Sequence, residues 1–256
     1  TVQLDNGFLP LLAPMSEIAG RMATQVGAQM LTKIEGGMGL LMGGTAGVQA
    51  AHVVIVGAGT VGLSAAKVAM GMGARVTILD SNLFRLRQID DLYGGRIQTL
   101  ASNAFNIAAA VKEADLLVGS VLIPGALTPK LVTEAMVKTM KKGSAIVDVA
   151  IDQGGCIEVT AKHGATYHDN PTFMYEGIVC YSVGNMPGAV ARTSTFTLTN
   201  ATMPYMIDLA NKGWKKACQD DKALARGINT YDGKVYFKGV SDALGYELHC
   251  TCDILK

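Results

Sequence analysis

The most informative stretch of this 256-residue chain reads Val53-Val54-Ile55-Val56-Gly57-Ala58-Gly59-Thr60-Val61-Gly62. Its first four residues are apolar and β-branched, a pattern typical of a buried strand, and its last six form a GxGxxG motif. Gly57 permits a tight turn, Gly59 lets the backbone approach a pyrophosphate, and Gly62 lets the following helix pack closely on the strand. Amides at the start of that helix present free donors to phosphates. The stretch therefore predicts a strand, turn and helix that bind a dinucleotide.

An acidic residue follows at the expected distance. A second apolar strand over 76–79 is followed by Asp80, eighteen residues beyond Gly62. A carboxylate there accepts from both ribose hydroxyls and repels a 2′-phosphate, so it favours NAD over NADP. Arg85, one helical turn further on, is expected to cover the adenine or to pair with Asp80, and phosphate binding is the less favoured alternative. The alternative interpretation is that the glycines form only a turn and that Asp80 only caps a helix.

In the neighbouring sequence, apolar runs typical of strands alternate with the apolar spacing typical of helices. Strands are predicted at 53–56, 76–79, 97–100, 116–121 and 144–150, and helices at 63–70, 83–92, 106–112 and 130–140. Strands that alternate with helices indicate parallel βαβ units, and continuously apolar strands indicate a sheet covered on both faces. The fold class predicted is α/β, a doubly wound parallel sheet of Rossmann type.

The flanking regions have other patterns. A helix is predicted over 16–34 with Ser16 as its N-cap, because apolar residues recur there in steps of four. Beyond Gly154, strand-like segments at 166–168 and 178–183 precede a helix over 194–211. Two short helices and a hairpin at Asp232-Gly233 complete the chain. The last forty or so residues are expected to lack a core of their own and to pack on something else.

The composition argues against several classes of partner. The 22 Lys and Arg residues nearly balance the 21 Asp and Glu residues, which is unlike a nucleic-acid binder. Mean hydropathy is +0.28, yet no run reaches the roughly 20 apolar residues of a membrane span. Five cysteines, an odd number, indicate reduced thiols and an intracellular location. The tail His249-Cys250-Thr251-Cys252 has too few ligands at too cramped a spacing for a metal site. No nucleic acid, membrane or metal partner is expected.

Four further strings resemble those of bacterial alanine dehydrogenases, in the alanine dehydrogenase and nicotinamide nucleotide transhydrogenase family. They are Leu9–Arg21, Asp148–Cys156, Asn185–Val190 and Thr199–Tyr205, and the resemblance runs from about Leu9 to about Asn229. Transhydrogenases usually lack the acid that Asp152 provides, so alanine dehydrogenase is favoured.

The resemblance implies an NAD-dependent enzyme that reversibly converts L-alanine to pyruvate and ammonia. Asp152 would be catalytic, beside the nicotinamide. The cofactor contacts it implies are Ser16, Gly57, Gly59, Thr60, Val61, Gly62, Asp80, Arg85, Ser102, Val121, Leu122, Val149, Asp152, Val183, Asn185 and Met186. The domains implied are a substrate-domain remnant at 1–9, the NAD-binding domain at 10–187 and a C-terminal part of the substrate domain at 188–256. A cytoplasmic homo-oligomer, hexameric as in the family, is expected.

In this family a mainly N-terminal lobe supplies an Arg, a Lys and a His to the substrate, all upstream of the segment that matches Leu9. We therefore expect a fragment that binds NAD(H) but turns over little alanine. The remaining histidines do not replace that His, and His52 is expected to be a solvated edge residue. The alternatives are a complete NAD-binding regulatory module, a transhydrogenase-like NAD-binding subunit, or an assembly part whose Met-rich helices pack against sister chains.

Overall fold

The computed structural model describes residues 1–121 and 128–256. Those residues form two compact units. The larger comprises Glu17–Ala189, and the smaller combines Thr1–Ser16 with Val190–Lys256.

The larger unit is built on a seven-stranded sheet. Its strands are β1 (His52–Val56), β2 (Arg75–Asp80), β3 (Ile97–Ala101), β4 (Leu116–Gly119), β5 (Ala145–Asp148), β6 (Thr172–Tyr175) and β7 (Ile178–Tyr181). Their order is β3-β2-β1-β4-β5-β7-β6, and all neighbours pair in parallel until β6, which runs antiparallel to β7 at the edge. The predicted doubly wound parallel sheet is confirmed.

One helix precedes the first strand, and the others lie in the connections between strands. These helices are α1 (Ala13–Met30), α2 (Thr60–Gly71), α3 (Leu83–Tyr93), α4 (Ala104–Glu113), α5 (Glu134–Val137) and α6 (Glu158–His163). Asn82 and Asn103 start α3 and α4 by accepting hydrogen bonds from backbone amides three residues ahead. Such caps satisfy donors that a helix leaves unpaired in its first turn. The chain therefore turns from strand to helix directly after β2 and β3.

Helix α1 lies against α2 through small residues. A Cβ placed on Gly20 would lie 2.1 Å from the carbonyl oxygen of Val61, so only glycine allows this approach. The Thr24 hydroxyl donates to the Ala65 carbonyl at 2.9 Å. Met22 and Met30, on the face predicted from the periodicity, are buried. This contact places α1 beside the turn that precedes α2.

Three predictions of local structure were wrong. Helix α1 begins at Ala13, so Ser16 lies inside it rather than at its N-cap; Pro14 is tolerated because it falls in the first turn. The helix predicted over 130–140 shrinks to α5, since Val132 forms a bridge with Ile157 instead. The segment 166–168 contributes isolated bridges and no strand.

Strand β6 was not predicted. It joins β7 through a two-residue turn at Glu176 and Gly177, whose φ angles are 49° and 78°. Two positive φ angles are the signature of a type I′ hairpin turn. Glu is an unusual residue for the first position, which explains why the sequence did not indicate this turn.

The smaller unit has a modest core, to which both ends of the chain contribute. Its elements are α7 (Ala191–Asp220), α8 (Lys222–Ala225), β8 (Thr230–Tyr231), β9 (Lys234–Val235) and α9 (Lys238–Leu244). Val2, from the opposite end of the chain, is buried with Cys218 and Leu224. The last forty or so residues thus share this cluster with Val2, Leu11 and Leu209 instead of forming a core alone, in line with the prediction. The hairpin at Asp232-Gly233 is confirmed, with φ angles of 46° and 71°.

The cysteines differ in their state. Cys156, Cys180 and Cys218 are free and buried, whereas Cys250 and Cys252 are bonded to each other, which departs from the expectation of five reduced thiols. Over the described ranges, no helix is long and apolar enough to cross a membrane.

Candidate dinucleotide site

The glycines of the turn between β1 and α2 have two different roles. Gly57 has a φ of 105°, and a Cβ there would lie 2.9 Å from the Ser120 carbonyl oxygen. A Cβ on Gly62 would lie 1.8 Å from the Gly57 carbonyl oxygen, so the turn and helix close on each other at that point. A Cβ on Gly59 would meet no atom within 4 Å. Gly57 and Gly62 are therefore required by the fold, whereas Gly59 borders open space.

The first turn of α2 faces that space with free donors. Its N-cap is Gly59, and no side chain caps the helix. The amides of Thr60, Val61 and Gly62 have no partner within the helix, because the first turn lacks preceding carbonyls. An anionic group is stabilised at such a terminus by these donors and by the helix dipole. The turn therefore fits the pyrophosphate of a dinucleotide.

Ser120 holds this turn from β4, and the sequence did not identify it. Its buried hydroxyl lies 2.9 Å from the carbonyl oxygens of both Val56 and Gly57. Its amide donates to the Val56 carbonyl at 2.9 Å. The one signal available in the sequence was a small polar residue at the end of an apolar strand.

Asp80 and Arg85 are both attached to the Ala58 peptide. Asp80 Oδ2 accepts from the Ala58 amide at 2.7 Å, and its Oδ1 accepts from the Asn82 amide at 2.8 Å. Arg85 Nε donates to the Ala58 carbonyl at 2.9 Å. The N-cap of α3 is Asn82, so the alternative role of Asp80 as that cap is wrong. Each carboxylate oxygen keeps a second lone pair for a further donor, such as a ribose hydroxyl.

Residues that follow β3 and β4 lie beside the glycine turn and Asp80. The Ser102 amide donates to the Asp80 carbonyl at 2.9 Å, which places Ser102 next to the acidic residue. A Cγ2 of Val121 lies 3.0 Å from the Cβ position of Gly57. Leu122 lies outside the described residues. The structure thus gathers Ser102, Asp80, the glycine turn and Val121 at the carboxyl ends of neighbouring parallel strands, where this fold binds ligands.

A second group follows β5 and β7. A short 3₁₀ helix, Val149–Gln153, carries Asp152, whose Oδ2 accepts from the Asn185 amide at 3.2 Å. Asn185 adopts a φ of 53°, and the flanking Val183 and Met186 are buried. The structure therefore brings Asp152 and Asn185 together across two neighbouring strands.

Ser16 belongs to the smaller unit, near the start of α1. Its contact with the cofactor stays a prediction, as do the roles of the other predicted site residues.

The histidines do not form a catalytic group. His52 lies on β1, an interior strand of the sheet rather than an edge strand, and its Nε2 lies 2.9 Å from the Thr77 hydroxyl. Burial lowers the pKa of His52. The His163 ring stacks on Phe173 with centroids 3.7 Å apart. Among the described residues, no three His, Cys, Asp or Glu side chains group as a metal site would require.

Residues 23–238 match the sequence model of the family described as "Alanine dehydrogenase/PNT, C-terminal domain". The chain belongs to this family. The alanine dehydrogenase of Bilophila wadsworthia (strain 3_1_6) is 93% identical over 100% of this chain and 69% of its own length. That of Methanococcus maripaludis is 60% identical over 95% of this chain and 65% of its own length.

Solved structures agree with the alanine dehydrogenase branch of the family. An L-alanine dehydrogenase superposes with a TM-score of 0.90 and 48% identity, covering 96% of this chain and 67% of that one. A transhydrogenase from Sinorhizobium meliloti gives a TM-score of 0.73 and 25% identity, covering 88% and 63%. The transhydrogenase-like alternative is therefore the weaker match.

Proposed function

We propose that this chain supplies the NAD-binding part of an NAD-dependent L-alanine dehydrogenase, which interconverts L-alanine with pyruvate and ammonia. Bound NAD would supply the redox chemistry, as the acceptor for the hydride of the alanine Cα. The chain's own residues have to bind the cofactor, orient it and hold protons near the reacting carbon. The observation that carries this proposal is the alignment of the glycine turn, Asp80 and Asp152 along one edge of neighbouring parallel strands.

The two groups at this edge would bind different halves of the cofactor: the glycine turn with Asp80 the adenosine half, and the Asp152 loop with Asn185 the nicotinamide half. The amides that begin α2 would bind the pyrophosphate, and Asp80 would accept from the adenosine ribose with Arg85 beside it. Ser102 would lie near the adenine and Val121 near the middle of the cofactor, and the contact predicted for Leu122 lies outside the described residues. Val149 and Asp152 would hold the nicotinamide from one side, and Val183, Asn185 and Met186 from the other.

Asp152 is proposed as the catalytic residue of this chain. Its side chain is exposed, and its Oδ2 already accepts from the Asn185 amide. An exposed carboxylate held by one backbone donor keeps acceptor capacity for a substrate ammonium or a water. Asp152 thereby fixes the polar side of the nicotinamide pocket.

We further propose that 10–187 acts as the NAD-binding domain, with 1–9 and 188–256 belonging to a substrate domain. By resemblance, the assembly is a cytoplasmic homo-oligomer, a hexamer. Light scattering coupled to size exclusion measures the assembly directly, and a monomer at working concentration would contradict it.

Titration of NADH against the Asp80→Arg variant tests the cofactor site. The change removes the ribose acceptor and the partner of the Ala58 amide, so affinity should fall at least about tenfold. Asp91→Arg, an exposed position on α3, is the control with the same change in charge. Unchanged NADH affinity in Asp80→Arg would overturn the assignment.

A polypeptide of these 256 residues should bind NADH yet oxidise alanine negligibly, because the Arg, Lys and His implied by the resemblance lie upstream of the Leu9 segment. NADH formation from alanine and NAD, followed by absorbance, measures this. A normal enzymatic rate would contradict the expectation.

A further inference from the structure

A buried carboxylate lies beneath the loop that carries Asp152. Asp148, the last residue of β5, has no exposed surface. Its Oδ1 accepts from the amides of Ala150 and Cys156 at 3.2 and 3.4 Å. Its Oδ2 accepts from the Ile157 amide at 3.2 Å and from the Thr160 hydroxyl at 2.6 Å. A carboxylate in this position is costly to bury unless such donors surround it.

Glycines on two sides make room for this carboxylate. A Cβ on Gly155 would lie 2.7 Å from Asp148 Oδ2, and a Cβ on Gly119 would lie 3.0 Å from Oδ1. Gly155 also has a φ of 74°, which favours glycine. The second glycine after Gln153 is therefore explained by Asp148 rather than by contact with a ligand.

The donors come from both ends of one loop. Ala150 lies just before Asp152, whereas Cys156, Ile157 and Thr160 lie after it. Asp148 thus ties the start of the loop to its end, and Asp152 lies in the arc between them. Burial raises the pKa of Asp148, and its hydrogen bonds with Thr160 and the loop amides act against that rise.

A second tie acts on the outside of the same loop. The Lys130 ammonium donates to the carbonyl of Gly155 at 2.7 Å and also to that of Gly154. The Thr128 amide donates to the Gln153 carbonyl at 3.2 Å. The carbonyls of Gln153, Gly154 and Gly155 thus accept from Thr128 and Lys130, while the amides of Ala150, Cys156 and Ile157 donate to Asp148.

We propose that Asp148 is a positioning residue that sets the nicotinamide half of the site by holding the Asp152 loop from inside, together with Thr160. This inference rests on the proposed function. It predicts that loss of a donor to Asp148 weakens the binding of the nicotinamide half and spares the adenosine half, which the glycine turn and Asp80 bind.

Thr160→Val and Thr160→Ser test this as a matched pair, because valine keeps the shape without the hydroxyl and serine keeps the hydroxyl. Calorimetric titration with NADH and with ADP-ribose, which lacks the nicotinamide, separates the two halves. Thr160→Val should weaken NADH about tenfold and leave ADP-ribose unchanged, because one charge-assisted hydrogen bond is lost. Thr160→Ser should bind both as the parent chain does, and the fluorescence of bound NADH should change only in Thr160→Val.

The outcomes are distinguishable. Equal losses for NADH and ADP-ribose, or no loss for either, would overturn the positioning role. Failure of the parent chain to bind either compound would instead overturn the proposed function, and this inference with it. Asp148→Asn, which keeps the side-chain size but removes an acceptor, gives the same comparison where Thr160→Val does not fold.

Discussion

Gly59 and Gly62 lie three residues apart in one motif, yet the structure predicts that alanine affects a different property at each position, cofactor binding at Gly59 and stability at Gly62. A methyl group on Gly62 would lie 1.8 Å from the Gly57 carbonyl oxygen and 2.7 Å from the Ser120 hydroxyl. A methyl group on Gly59 would meet no protein atom within 4 Å. Gly62→Ala should therefore damage the fold, whereas Gly59→Ala should damage only the binding of the cofactor.

The cost to stability follows from these surroundings. At Gly62, alanine gains about 1 kcal/mol of helix propensity but overpacks the turn, which costs about 3 kcal/mol. The net loss is then about 2 kcal/mol. At Gly59 the backbone is extended, with φ of −69° and ψ of −164°, which alanine adopts freely. A poorer N-cap and a less flexible unfolded chain nearly cancel there, so stability should stay within about 1 kcal/mol.

The effect on binding follows from the open space beside Gly59. If the pyrophosphate lies there, a methyl group displaces it from one or two amides. The loss of one charge-assisted hydrogen bond corresponds to roughly a tenfold weaker Kd, and the loss of two to much more.

Urea unfolding followed by circular dichroism gives the free energy of unfolding, and NADH fluorescence gives the Kd. Gly59→Ala with full NADH affinity would show that no phosphate approaches this turn. Gly62→Ala with full stability would show that the packing argument is wrong. Either result alone refutes the part of the reasoning on which it bears.

Three further predictions concern the support of the fold. Ser120→Ala should lower the free energy of unfolding by about 1 kcal/mol and weaken NADH binding, since the Gly57 carbonyl loses the hydroxyl that faces it, whereas the Val56 carbonyl keeps the Ser120 amide. Urea unfolding beside an NADH titration checks both, and an unchanged free energy of unfolding would contradict it. Gly20→Ala should lower the melting temperature, because its methyl group would meet the Val61 carbonyl. Gly71→Ala, whose methyl group meets no atom within 4 Å, should not, and equal melting temperatures for the two variants would refute this. Hydrogen bonds from lysines and a tyrosine lower the pKa of Glu134 to about 2, so its stabilisation is complete above its ordinary pKa of 4.5 and is lost as the pH falls towards 2. Glu134→Gln should therefore lose less stability than the parent chain over that range, as acid titration by circular dichroism would measure; parallel curves would contradict it.

Local sequence predicted the strands, turns and helices whose signals lie within a short stretch of the chain. The β-branched run before Gly57, the acid eighteen residues beyond Gly62 and the alternation of periodicities all act over short distances. Helices α2, α3 and α4 were therefore predicted close to their actual bounds. Where a neighbouring segment competes for the backbone, as Ile157 does for Val132, the helical pattern was misleading.

The supports of the site could not be predicted in this way, because their partners are distant in sequence. Ser120 reaches a carbonyl 64 residues earlier, and only the pairing of β4 with β1 brings the two together. Asp148 looked like one more residue of a matching string, since nothing local shows that its strand end is buried beneath the loop that follows.

The residue types and spacings of this chain thus determine a glycine turn between a strand and a helix, a parallel sheet and an acid at the end of the second strand, because each is signalled by a few adjacent residues. The tertiary structure alone decides which glycine is closed in by protein and which is left open. It also decides which carboxylate faces solvent, as Asp152 does, and which is enclosed by amides, as Asp148 is. The reason is that burial and hydrogen bonding are properties of the order of the strands, and that order joins residues that the sequence keeps far apart.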